Sequence, residues 1–511
     1  MTSLILDGTS LKVEDLSPLL YGGDLSFTLD EGALKRVQAA REMVERVVTT
    51  GAAVYGLTTG FGKLKNVAIA STDLVELQRN LVVSHCCGVG EAMPVAEVRT
   101  VQVLRLNGLM RGHSGVRVEL LHRLARFFHK GFVPWVPQQG SVGASGDLAP
   151  LAHMAAAYMG FGKAIVGGVV MSAKEALQAV DEKPLELHAK EGLALINGTE
   201  VMAAVGAGAY LRAKNLSVCS DAVAALTLEA LFGSIKPFDA RLAELKGLDG
   251  HRRTSSNMRA LLAGSKVMQS HQDCDRVQDP YSLRCIPQVH GAFKDALAHV
   301  GVTLAAEMNS VTDNPVIFPE TDEVISAGQF HGQPLSMVFD YLGMALCTLG
   351  NISERRTEQL VNPDLSHLPG FLTSKPGLHS GMMIAQVAAA SLASENKVFA
   401  HPSSVDTIPT SANQEDHVSM GTTAARNARA IVGNVEHILA IEYLCAGQAR
   451  EFNLELQPGQ GARAAYGLLR SKIPALKEDV FLHDLILGAR DLIRDGALLN
   501  AVQERVGPLA S

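Results

Sequence analysis

Proline placement constrains this 511-residue chain more than any other feature. Proline lacks an amide hydrogen and its ring clashes with the preceding helical turn, so long helices need proline-free stretches. Such stretches lie between Pro184 and Pro237, Pro287 and Pro315, Pro334 and Pro363, and Pro409 and Pro458. The run Val201–Phe232 is dominated by Ala, Leu, Val and Met. It predicts a helix over most of its length, apolar on most sides and therefore buried in a bundle. Aromatics make up only 5% of the chain, which disfavours a β-sandwich built on aromatic and β-branched strands. The expected class is mainly α, with a central bundle of long helices.

The first half is more punctuated. Leu34, Val37, Val44, Val47 and Val48 form a helical stripe that stops at Gly51. Asp73 opens another helix, with Glu76 three residues on in the manner of a capping box. Its stripe runs through Leu74, Leu77, Leu81 and His85. Residues 134–150 read as a loop, and 164–171 (AIVGGVVM) as a short hairpin. No repeat, low-complexity tract or flexible linker is present. The chain divides, on this reading, into a loop-rich part, 1–200, and a helical part, 201–511.

Charge and composition exclude several classes of function. Lys plus Arg total 45 against 52 Asp plus Glu, a net charge of −7 that leaves no basic excess for nucleic acid. No stretch of ~18 uncharged apolar residues predicts a membrane span. The start, Met1-Thr2-Ser3-Leu4, lacks the basic residues of a signal peptide, and Asp7 interrupts the apolar run. Seven scattered cysteines without a Cys-x-x-Cys read as reduced thiols, which places the protein in the cytoplasm. His271, Cys274, Cys285 and His290 fit no standard zinc spacing, so no metal site is assigned. Gly143–Asp147 lacks the final glycine of a nucleophile elbow, and no Walker-type loop occurs.

The segment Gly140–Pro150 (GSVGASGDLAP) is different in kind. Gly and Ser alone suit a surface turn. Yet Leu148, Ala149, Leu151 and Met154 begin an apolar helix at once, so this glycine-rich loop is held inside the protein. Two readings follow: an anion-binding helix start, or a place where backbone atoms approach very closely.

Ala144-Ser145-Gly146 within GSVGASGDLAPLAHM matches the loop of the aromatic amino acid ammonia-lyases and aminomutases, and the chain resembles that family. There the tripeptide cyclises: the glycine nitrogen attacks the alanine carbonyl, two waters leave, and 4-methylideneimidazole-5-one results. The chemical need is plain, because none of the twenty side chains is a good electrophile. The likeness extends from about residue 5 to about residue 450 through further strings in order. These are Tyr55–Gly62 (YGLTTGFG), Ser84-His85, Ala194–Thr199 (ALINGT), Val277–Cys285 (VQDPYSLRC), Thr312–Pro315 (TDNP), Phe330-His331-Gly332 and Ser411–Met420 (SANQEDHVSM).

The resemblance implies roles for individual residues. Tyr55, which alone would pass for packing, matches a catalytic base; a phenol serves as one only where positive charge or donors favour the phenolate. Asn197 and Tyr281 match contacts to the prosthetic ring and substrate. Arg284 matches the partner of the substrate carboxylate, a bidentate task suited to its planar fork. Gln278 and Phe330 line the pocket, and Gln414 joins the substrate-binding set. The histidine-directed branch of the family has Ser-His at 84–85, whereas phenylalanine- and tyrosine-directed relatives usually carry Phe-Leu or His-Leu. Glu415 adds a carboxylate that can accept from an imidazole N–H, a group no phenyl ring offers. His85 and Glu415 thus both point to L-histidine as substrate and trans-urocanate with ammonia as products.

The resemblance further implies a homotetramer whose sites draw on more than one chain, and no metal or diffusible cofactor. Phenylalanine- or tyrosine-directed lyases and aminomutases of the family remain the rival reading, separated only by the pocket. An inactive helical scaffold is the rival of another class; intact Ala144-Ser145-Gly146, Tyr55 and Arg284 count against it. Gln329 stands where Asn is more usual, and Cys86-Cys87 replace small residues, both departures that reshape the pocket's surroundings.

Overall fold

The computed structural model describes residues 4–50, 54, 56, 57, 59, 60, 67, 69–272 and 276–511. Helix accounts for 62% of the chain, and no strand among the described residues exceeds four residues, so the mainly α expectation holds. In the first half lie α1 (Glu31–Thr50), α2 (Leu74–His85) and α3 (Leu148–Tyr158). The proline-free stretches then fold as α4 (Glu200–Ala230), α5 (Ile286–Met308), α6 (Gln333–Val361), and, after α7 (Met383–Phe399), α8 (Gly421–Arg450). Pro287 and Pro334 sit in the first turns of α5 and α6, where a missing amide hydrogen costs no helical bond.

Local signals held unevenly. The valine stripe is α1, ending at Thr50. The hairpin pairs Lys163–Val166 with Val169–Ser172 across Gly167 and Gly168, both at positive φ as a two-residue turn requires. The capping box expected at α2 does not form. Asp73 ends a short 3-10 turn (Ser71–Asp73) with φ −102° and ψ −1°, not the extended conformation of a capping residue, and its side chain makes no cap bond.

Contacts group the chain into two compact units that are discontinuous in sequence, a partition different from a single cut at residue 200. The first comprises Met1–Gly208, Gly301–Asp340 and Pro402–Arg426; the second comprises Ala209–Val300, Tyr341–His401 and Asn427–Ser511. The first holds all the short sheets. Within it α3 is buried on nearly every side, its Ala152, Ala155, Ala156 and Ala157 leaving room for close neighbours. Phe127 stacks on Tyr158 at 5.0 Å, and the Tyr158 hydroxyl meets Gln102 Nε2 at 2.9 Å. Gly206 of α4 faces the Phe339 ring of α6 so closely that a Cβ there would overlap it.

The second unit is a helical bundle with charges sealed inside. Arg356 clamps Glu442 through Nε (2.6 Å) and Nη2 (2.9 Å), and Nη1 lies 3.2 Å from His290 Nε2. His290 Nδ1 is 2.7 Å from Asp221, which also meets Asn257 (2.8 Å) and Lys294 (3.2 Å). Burial lowers the pKa of His290, consistent with a neutral ring between Arg356 and Asp221. His271 directs its ring nitrogens at the carbonyl oxygens of Val267 and Gly233. Two of the histidines considered for zinc thus have other partners; Cys274 lies outside the described residues. By length and hydropathy α6 and α8 could cross a membrane, yet both are mostly buried inside the protein and carry the Arg356–Glu442 pair.

Candidate active site

The site is built within the first unit from segments far apart in sequence. The loop before α3 reaches Gly146 at φ +73°, and this glycine pairs with Gly198 in an isolated parallel bridge. A Cβ on Gly146 would fall inside the Gly198 carbonyl, so the backbones touch as only glycine allows. Of the two readings of this loop, close backbone approach is the one the structure bears out.

Asp147 fastens the loop from the other side. Its amide donates to Gly198 O at 2.7 Å. Its buried carboxylate accepts from Met202 N (2.8 Å) in the first turn of α4, from Ser141 Oγ (3.0 Å) and from the Thr422 hydroxyl. A helix N-terminus favours such a carboxylate. Burial nevertheless dominates and pushes its pKa up to about 6, against the lowering by those hydrogen bonds. Behind Gly198, Arg105 Nη1 donates to Asn197 O and to Glu200 Oε2, both at 2.9 Å.

Ser145 presents both its polar groups to partners. Its carbonyl oxygen accepts from Asn197 Nδ2 at 3.2 Å, and its hydroxyl donates to Glu415 Oε1 at 2.7 Å. The other Glu415 oxygen accepts from Thr410 Oγ1, also at 2.7 Å. Glu415 is aimed by an unusual turn: Ser411, Ala412 and Asn413 all have positive φ, 51°, 51° and 66°. Strained backbone of this kind persists only where its surroundings enforce it. Ser419 Oγ to Gly143 O (2.9 Å) and Met420 N to Val142 O (2.9 Å) lock that segment against the tripeptide loop.

These groups border a cavity of about 660 Å3. Ala144, Ser145, Asn197, Phe330, Gln414 and Glu415 all line it, so the structure brings together half of the residues singled out in the sequence. Gly146 is buried beside it. Tyr55 lies outside the described residues. His85 does not line the cavity; it ends α2 with Nδ1 2.7 Å from Leu81 O. Gln278, Tyr281 and Arg284 belong to the second unit and are absent from the lining. There Tyr281 is 70% exposed, with the Arg284 guanidinium 4.5 Å from its ring centroid.

Six further polar residues line the cavity without having been assigned a role from the sequence: Asn314, Ser326, His331, Ser411, Asp416 and His417. His331 and His417 sit inside strings already quoted, so the signal was present; their pairing was not. Their rings are parallel within 4°, centroids 5.7 Å apart. Asp147, the anchor of the loop, was likewise read only as part of the glycine-rich run.

An Ala-Ser-Gly tripeptide pinned by glycine contact and facing a carboxylate defines a class. The chain belongs to the aromatic amino acid lyase family, whose pattern it matches over residues 11–471. It is 47% identical over 500 residues to the histidine ammonia-lyase of Myxococcus xanthus (strain DK1622), covering 98% of each chain. It is 51% identical over 475 residues to that of Symbiobacterium thermophilum, covering 93% of this chain and 94% of the relative. Among solved structures it resembles histidine ammonia-lyase from Trypanosoma cruzi (TM-score 0.92, 39% identity, 99% and 96% covered). It equally resembles tyrosine aminomutase from Streptomyces globisporus (TM-score 0.94, 36% identity, both chains fully covered), so shape alone does not select the substrate.

Proposed function

We propose that this chain deaminates L-histidine without oxidation, giving trans-urocanate and ammonia. The observation that carries the reading is the 2.7 Å contact between Ser145 and Glu415 beside one cavity, a carboxylate held against the serine of the tripeptide. The full-length likeness to histidine ammonia-lyases at 47% and 51% identity supports the substrate, and favours histidine over the phenylalanine or tyrosine alternatives.

Ala144-Ser145-Gly146 is suited to become 4-methylideneimidazole-5-one: Gly146 has the bare α-carbon its contact demands, and Asn197 already holds the Ser145 carbonyl. That group supplies the electrophilic carbon the side chains lack. Asn197 donates to the Ser145 oxygen and so drains electron density from the position next to it. Glu415, freed from the serine hydroxyl, accepts the N–H of a substrate imidazole. Gln414 and Phe330 flank the substrate; His85, which stands outside the cavity lining, is assigned to the imidazole on the family likeness alone. Tyr55 is the base that takes the β-proton.

Gln278, Tyr281 and Arg284 complete the site as residues supplied within a homotetramer, Arg284 pairing with the substrate carboxylate. Apolar stripes support association: Met337, Tyr341 and Met344 on α6, and Ile384, Val387 and Val398 on α7, are all more than 40% exposed. The reduced cysteines and the family likeness support a cytoplasmic protein, which fractionation checks. No metal is assigned a role.

Urocanate release from histidine, with phenylalanine and tyrosine as controls, tests the activity. Intact mass tests the prosthetic group: the active protein falls short of its sequence mass by two waters, and Ser145→Ala restores part of that mass while losing most turnover. An active protein of unmodified mass overturns the reading.

A further inference from the structure

The pair His331 and His417 borders the cavity and has no part in the roles given above. Hydrogen bonds fix the state of His331. Its Nδ1 accepts from the Gln333 amide at 3.3 Å, so that nitrogen carries no proton. Its Nε2 then bears the hydrogen and donates to His417 O at 3.2 Å. His331 thus anchors the backbone of its partner. The His417 ring lies parallel to it and makes no hydrogen bond among the described residues, and the residue is exposed. The titratable groups lining this cavity among the described residues are His331, His417, Glu415 and Asp416. Glu415 and Asp416 directly precede His417 in the chain.

We infer that His417 is a catalytic residue that accepts the proton of the substrate ammonium group, with His331 as its positioning partner. The inference rests on the ammonia-lyase reading. An amino acid at neutral pH carries a protonated amine with no lone pair for bond formation. On binding, one N–H bond of the ammonium breaks, its electron pair stays on nitrogen, and the proton goes to a free His417 ring nitrogen. The exposed residue then passes that proton to water, and the ring returns neutral for the next turnover. No oxidant or second substrate enters. Imidazole suits the task because its ordinary titration range lies next to physiological pH. His331 cannot substitute, since protonating its Nδ1 would oppose the Gln333 amide.

The test compares kcat/KM for histidine against pH in wild type, His417→Gln and His331→Gln. His417→Gln is expected to lose at least tenfold near pH 7. The deficit shrinks as pH rises far enough for the substrate's own α-ammonium group to lose its proton in solution. His331→Gln, which can still donate to the His417 carbonyl, keeps most of the rate. In His417→Ala, added imidazole restores turnover near pH 7. All variants keep the two-water mass deficit, which separates this step from formation of the prosthetic group. A His417→Gln profile parallel to wild type at every pH, or a His417→Ala protein deaf to imidazole, overturns the inference. A wild type that releases no urocanate overturns instead the activity on which it rests.

Discussion

Glu415 and Asp147 are two carboxylates on either side of one tripeptide, and their surroundings give them opposite duties. Glu415 is half-exposed and holds two hydroxyls at 2.7 Å, one of which the proposed dehydration of Ser145 removes. A buried polar substrate group left without its charged partner costs roughly 1–3 kcal/mol or more. Glu415→Gln is therefore expected to lower kcat/KM for histidine at least about tenfold, with an unchanged melting temperature; unchanged turnover would remove Glu415 from recognition. Asp147 is fully buried, and its pKa of about 6 exceeds the unfolded value of 3.8. Between those values the folded chain binds the extra proton, so this group's contribution to stability falls as pH rises from about 4 to 6. The loss is of order 3 kcal/mol, at ~1.4 kcal/mol per pH unit. Asp147→Asn should show a flatter stability-versus-pH curve across that window, by denaturant unfolding at each pH.

At the scale of elements, proline spacing was a sufficient guide to α4, α5, α6 and α8, because a helix interior excludes proline whatever the tertiary context. Capping was not legible at α2, since the preceding turn already bends Asp73 out of the capping conformation. The site was legible where a distinctive string carried it, as at Ser145, Asn197 and Glu415. It was illegible where function depends on two strings meeting: nothing in 331 or 417 alone announces a parallel pair of rings. Helix-to-helix distance was equally hidden. Gly206 lets α4 approach Phe339 of α6, so Gly206→Ala overpacks that contact, with an expected cost of about 1–3 kcal/mol. Adding Phe339→Leu should recover part of it; additive losses in thermal melts would show that the two residues are not coupled.

For the whole molecule, exposed Met337, Tyr341 and Met344 form a stripe at helical spacing on α6, which a lone soluble chain rarely leaves bare. Light scattering is expected to give a tetramer. Met337→Glu with Met344→Glu should shift it toward smaller species and cut activity together, because the site proposed above takes Arg284 from a neighbour and fails when the neighbour leaves. An active monomer would contradict both claims.

The contact between Gly146 and Gly198 also bears on heredity. Every single-base change that alters a glycine codon yields a residue with a Cβ or a stop, and neither backbone has space for that atom. These two codons are closed to stepwise change. Gln414 and Asp416 also line the cavity, are exposed, and face no such barrier. Drift in substrate preference among descendants of this gene has room at those two positions, while the backbone contact of the tripeptide is copied intact.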